Sequence, residues 1–273
     1  MRLAVDNLLR MDAAKIRLGG MALPNGVLVH GPTAWACAVR LPGGELKVVS
    51  DRKRFRAASV TNPLLRGPAR LAEVFSLLPQ VRRRLPEARL PFERPAVLAA
   101  MMGSSVAVRL VRDSTRVGPA AQELITGLLA FAPAALALRG GELAAYHGAE
   151  HVSIGSYEHG EPRAREHERC GTHLVGPLVA LSAVGNVLAA QAPAHLRGAA
   201  RLAASVGAMA ASTELFGWMT RNPENRLSQA LARPGHEFQH HLATAEPTPE
   251  QLEVAEAALA ACLRLERGDG ASR

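Results

Sequence analysis

The densest chemistry in this chain lies in YHGAEHVSIGSYEHGEPRAREHERCGTH, from Tyr146 to His173, which holds five of the ten histidines together with Cys170. Within it, His147-Gly-Ala-Glu150-His151 has the form H-x-x-E-H, the inverse of the common zinc-peptidase helix motif. A helix turns by about 100° per residue, so His147 and His151 fall on one face a turn apart with Glu150 beside them. Two imidazoles at that spacing can ligate one ion, and the carboxylate can hold or deprotonate a water there.

A tetrahedral site needs a third protein ligand, and a catalytic one keeps its fourth position open. His167-Glu-Arg-Cys170 offers an imidazole and a thiolate three residues apart, with Glu158, His159 and His173 as further options. Gly171, directly after Cys170, permits a tight turn that brings this loop back over the helix. The residues therefore predict a divalent metal ion, zinc by ligand type, held by His147, His151 and Cys170 with His167 next in line. Glu150 is the expected general base and Arg169 a partner for an anion or oxyanion. A hydrogen-bonded polar network inside a helical bundle is the competing reading.

The remaining groups point elsewhere. His236, His240 and His241 have no cysteine beside them, and the flanking Pro234-Gly235 and Pro247 predict a short ordered loop. Arg82-Arg83-Arg84 reads as a solvated helix terminus before Pro86, and Cys37 and Cys262 as buried apolar fillers. There is no Walker loop, Rossmann glycine fingerprint or G-x-S-x-G elbow, and 4% aromatic residues leave little material for stacking bases.

Positioning these groups falls to a chain of 273 residues with 48% apolar content, enough to bury a core without staples. Its 32 basic against 24 acidic residues give +8, and the pI is about 10.4. That charge admits nucleic acid, anionic lipid or an acidic partner and selects none. The first residues, MRLAVDNLLRMDAAK, lack the long apolar segment of a secretory signal. From Gly19-Gly20, short alternating segments (Val27 to His30, Thr33 to Arg40, Glu45 to Ser50) predict antiparallel strands, the last two a hairpin. After Asn62-Pro63 the pattern turns helical. The expected helices are Pro63–Leu78, Pro95–Leu110, Pro119–Leu138, Gly141–Ser153, Leu174–Gln191, His195–Met219, Pro223–Ala232 and Thr248–Glu266. The last carries a capping box from Thr248 to Gln251. The fold expected is α+β: a small amino-terminal antiparallel β region over residues 1–60, a mainly helical bundle over 61–266 carrying the site, and a disordered tail at 267–273.

Several blocks resemble the YqhQ-like bacterial family, the domain of unknown function 1385. They are the stretch from Tyr146 to His173, GGMALPNGVLVHGP (Gly19–Pro32), NPLLRG (Asn62–Gly67), ELITGLLAF (Glu123–Phe131), STEL (Ser212–Leu215) and PGHEFQHHLATAEPTPEQLEVA (Pro234–Ala255). The resemblance implies a metal-dependent enzyme, often membrane-associated, with hydrophobic helices after the Cys-Gly-Thr turn. Val152 stands where the family usually has lysine, Glu168 where it has proline, and His173 where it has a small polar residue. Glu214 matches the glutamate of the family's Tyr-Glu pair and is a further candidate third ligand.

The mean hydropathy of +0.04 averages this polar region against three runs without Asp, Glu, Lys or Arg: Pro95 to Val108, Leu124 to Leu138 and Gly171 to Leu196. The last is long enough to cross a bilayer, although Gly176, Pro177, Gly185 and Asn186 weaken its drive to insert. The expected location is the bacterial cell membrane, cytoplasmic side, with Arg52–Arg56 and Arg82–Arg84 toward anionic headgroups; the cytoplasm is the alternative. The leading functional expectation is a zinc-dependent, hydrolase-like enzyme acting on an unknown substrate. A non-catalytic membrane-associated protein with a structural metal site, and a basic RNA- or ribosome-associated protein, are the alternatives.

Overall fold

The computed structural model of the chain describes residues 15–114 and 116–268. The stretch read as lacking a secretory signal, up to residue 14, and residues 269–273 of the expected tail lie outside the described residues. Among those described, four strands are followed by eight α-helices, an α+β layout with a helical bundle. The strands β1 (Gly19–Leu23), β2 (Gly26–His30), β3 (Ala34–Arg40) and β4 (Leu46–Arg52) form an antiparallel meander in sequence order. The helices are α1 (Pro63–Arg84), α2 (Pro95–Asp113), α3 (Pro119–Leu138), α4 (Gly141–His159), α5 (Val175–Ala190), α6 (Arg197–Arg221), α7 (Arg226–Phe238) and α8 (Pro249–Arg267).

Both faces of the sheet are covered, and the period of two decides which residue faces what. Ala22, Val27, Val29, Ala36 and Ala38 pack against Tyr146, Ala149 and Ile154 of α4 and Val254, Ala258 and Leu259 of α8. The alternate residues Leu23, Leu28, Trp35, Cys37 and Val39 pack against Leu77, Leu78 and Val81 of α1. Glu266 ties the end of α8 to the sheet, its Oε1 accepting from the backbone of Thr33 at 2.7 Å and Ala34 at 2.6 Å. Buried Cys37 and Cys262 have their thiols pushed up to about 12 by that burial, as apolar fillers should.

The helices follow the sequence reading in number and differ in extent. Thr248 caps α8 through the expected box, accepting from Gln251 N at 3.3 Å while Gln251 Oε1 accepts from Thr248 N at 2.9 Å. The helix expected from Pro223 begins at Arg226 instead, capped by Asn225, whose side chain accepts from Leu227 N at 2.9 Å. The loop expected around Pro234-Gly235 is helical instead: α7 runs to Phe238 and passes into a π-turn at Gln239–Ala243. Helix α4 continues six residues beyond Ser153, because Ile154 and Tyr157 are buried in the core beneath it. Glu158 and His159 are consequently on the helix and not in the following loop.

Helices α2 and α3 pack together, α3 packs on α5, α5 on α6 and α6 on α1, forming a layer that extends from the sheet. Three segments of this layer, Pro95–Asp113, Ala121–Leu138 and Gly171–Ala190, are long and apolar enough to cross a membrane. They correspond to the three uncharged runs of the sequence.

Candidate metal centre

Helix α4 is buried almost throughout, so the polar groups on it must find partners within the protein. His147, Glu150 and His151 are 8%, 7% and 2% exposed. The carbonyl of Ala243 accepts from His147 Nδ1 at 2.8 Å, and the carbonyl of Arg165 accepts from His151 Nδ1 at 2.6 Å. A carbonyl can only accept, so each Nδ1 carries a proton, and in the neutral imidazole that leaves the lone pair on Nε2. Burial, with His147 and His167 nearby, also holds the pKa of His151 well below the usual imidazole range, which keeps the ring neutral.

The two lone pairs meet a thiol. Cys170 Sγ lies 3.6 Å from His147 Nε2, and one donor atom from each of His147, His151 and Cys170 lies within 4.8 Å of the others. Zinc–nitrogen bonds of about 2.0 Å and zinc–sulfur bonds of about 2.3 Å place tetrahedral nitrogen and sulfur ligands roughly 3.6 Å apart, so the Cys170–His147 separation already fits. Glu150 Oε2 stands 4.0 Å from His147 Nε2 and 3.8 Å from His151 Nε2. Burial raises the pKa of Glu150 against the opposing pull of His147 and His167, and burial likewise raises that of the Cys170 thiol.

Three supports hold this arrangement, and none was identified from the sequence. Gly20 of β1 faces Glu150, and a Cβ there would collide with the carboxylate. Gly148 lets the chain after the π-turn lie against α4, where a Cβ would collide with the Ala245 carbonyl; Ala245 N also donates to Ala144 O at 2.9 Å. Gln239, fully buried, clamps the loop: its Oε1 accepts from His167 N at 2.8 Å and its Nε2 donates to Thr172 Oγ1 at 2.8 Å. The Gly19-Gly20 pair and the PGHEFQHHLATAEP block are visible in the sequence, but spacing alone does not bring them to α4.

The other predicted residues lie around or away from the cluster. His167 Nε2 is 3.0 Å from Glu158 Oε2, and Glu158 also pairs with Arg169. These three residues therefore tie the loop to the end of α4. His159 Nδ1 donates back to Gly155 O at 2.9 Å, and His173 is buried where Gly235 of α7 approaches its backbone. Glu214 pairs with Arg66, joining α6 to α1. Of the basic run after β4, Lys53 is buried and paired with Glu73 at 3.0 Å, not turned toward headgroups.

The cluster opens into a cleft of about 1210 Å³ lined by Gly20, His147, Glu150, His151, Arg169 and Cys170, among others. A family described as "Protein of unknown function (DUF1385)" matches residues 142–265, from the first turn of α4 to the last turn of α8. The match includes His147, Glu150, His151 and Cys170. No curated protein and no solved structure matches the chain.

Proposed function

We propose that this chain is a membrane-associated, zinc-dependent enzyme of hydrolytic type, with His147, His151 and Cys170 as ligands and Glu150 as the proton-transfer group. The observation that carries the reading is the pair of backbone carbonyls that fix both histidine tautomers. Metal-ligating histidines characteristically donate their other ring N–H in this way, which orients the ring and raises its basicity. Here both Nε2 atoms are turned toward one thiol and one carboxylate.

Zinc at such a site supplies a Lewis acid and lowers the pKa of water toward 7. Glu150, buried and within 4.0 Å of both imidazoles, is placed to accept a proton and return it to a leaving group. Arg169 lines the same cleft, anchored by Glu158, and is assigned to an anionic part of the substrate. The engagement of His167 with Glu158 leaves three protein ligands, which favours a catalytic over a closed structural site. We assign the sheet and cluster to the cytoplasmic side of a bacterial membrane, with exposed Arg54, Arg56 and Arg83 toward its anionic headgroups.

Metal analysis after purification without chelator tests the first half of the proposal. The expected result is about one equivalent of zinc in the parent and in Glu150→Gln, and less than about a tenth in His147→Ala. A parent chain below a tenth of an equivalent contradicts it. Loss of zinc in Glu150→Gln reassigns that residue as a ligand.

A further inference from the structure

The cleft does not end at the cluster. It continues along one side of the packed α2–α3 pair, past Val97, Met101, Val108, Phe131, Ala134 and Ala137, and returns to a polar surface at Arg109 and Arg112. Val97 to Val108 is twelve residues of helix, eleven rises of 1.5 Å or roughly 16 Å. Its volume of about 1210 Å³ exceeds the roughly 300–1,000 Å³ of ordinary small-molecule pockets. A compact, water-soluble substrate of a metal site has no use for such a length of apolar wall.

The walls themselves indicate where the occupant comes from. Helices α2 and α3 contribute two of the three segments long and apolar enough to cross a membrane. Their other faces carry Met102, Val106 and Leu128, which are 73%, 59% and 60% exposed. A trough along two such helices can be entered from hydrocarbon without passing through water, and its polar end is the His147–Glu150–His151–Cys170 cluster.

We infer that the substrate is an amphiphile with a long hydrocarbon chain, its polar group at the cluster and its chain laid along the cleft side of the α2–α3 pair. The inference rests on the metal reading for the chemistry at the polar end and on the cleft for the chain. Each methylene buried in such a trough strengthens binding about fourfold, so affinity should climb with chain length until the trough is full.

The test uses the full chain in phosphatidylethanolamine–phosphatidylglycerol vesicles containing a phosphatidylglycerol with a photoactivatable diazirine on its acyl chain. Adduct positions and zinc content are read on the same samples. The expected result is labelling of inward-facing Met101 and Phe131 that Ala134→Trp reduces at least about fivefold by filling the trough, with outward-facing Met102 and Val106 unaffected. Label confined to the outward residues, or inward label indifferent to Ala134→Trp, overturns the inference. Should that variant fail to fold, competition on the parent decides: added palmitate removes the inward label and hexanoate does not, and equal effects overturn it. Zinc without inward label sinks the amphiphile and spares the metal reading. Inward label that Ala134→Trp removes, in a chain without zinc, upholds the trough and sinks the metal reading.

Discussion

Helical periodicity brings His147, Glu150 and His151 to one face of α4, and Gly20 of β1, 130 positions away in the chain, stands directly against the Glu150 carboxylate. The contact gives a sharp prediction. Gly20→Ala should destabilise the chain by about 1–3 kcal/mol, the usual cost of overpacking, and most of that loss should vanish in the Glu150→Ala background. Additive losses in chemical denaturation would contradict the contact. A second titratable group lies on the other face of the sheet, where Lys53 Nζ donates to His30 Nδ1 at 3.0 Å and pairs with Glu73. Burial, with the Lys53 charge adding to it, lowers the pKa of His30 to about 4. Between pH 6.5 and 4 the unfolded imidazole takes up a proton that the folded one refuses. The stability linked to His30 is therefore present above about pH 6.5 and lost as pH falls to about 4, by up to ~3 kcal/mol. Thermal unfolding across that range should show a shallower loss in His30→Asn than in the parent, and parallel profiles would count against it.

At the scale of elements, capping chemistry and uncharged runs locate most helices, while tertiary packing sets where they stop. The burial of Ile154 and Tyr157 carries α4 to His159, and α7 continues through Pro234 into the π-turn that presents the Ala243 carbonyl to His147. Proline and glycine in PGHEFQHH read locally as a loop, since proline removes one helical hydrogen bond; the cost is accepted here and the helix persists. The π-turn and the loop before Cys170 act together through Gln239, whose amide serves both His167 and Thr172. Gln239→Leu should weaken zinc binding by about 10–100-fold without removing any ligand, since it frees the loop that carries Cys170. Competition with a chelator of known affinity reads this directly, and an unchanged zinc affinity would show that the clamp has no bearing on the site.

For the whole molecule, the sheet is a platform with α1 on one face and α4 and α8 on the other, and the cluster sits where this body meets the layer containing α2, α3 and α5. The sequence displays the three uncharged runs plainly, but composition does not say that two of them wall a cleft leading to the histidines, because that depends on how α2 and α3 pair. Net charge misleads in the same way: Lys53 belongs to a basic run and is nonetheless an interior ion-pair partner. If these helices lie in a bilayer, the expressed chain should remain in the membrane pellet after an alkaline carbonate wash and be released by detergent; release by carbonate would contradict membrane insertion. The central claim, that His147, His151 and Cys170 converge on one ion, is tested most directly by X-ray absorption at the zinc edge of the purified chain. The account predicts two imidazole nitrogens at about 2.0–2.1 Å, one sulfur at about 2.3 Å and one further light atom, with the sulfur lost in Cys170→Ser. A zinc shell without sulfur, or with more than one, would contradict it.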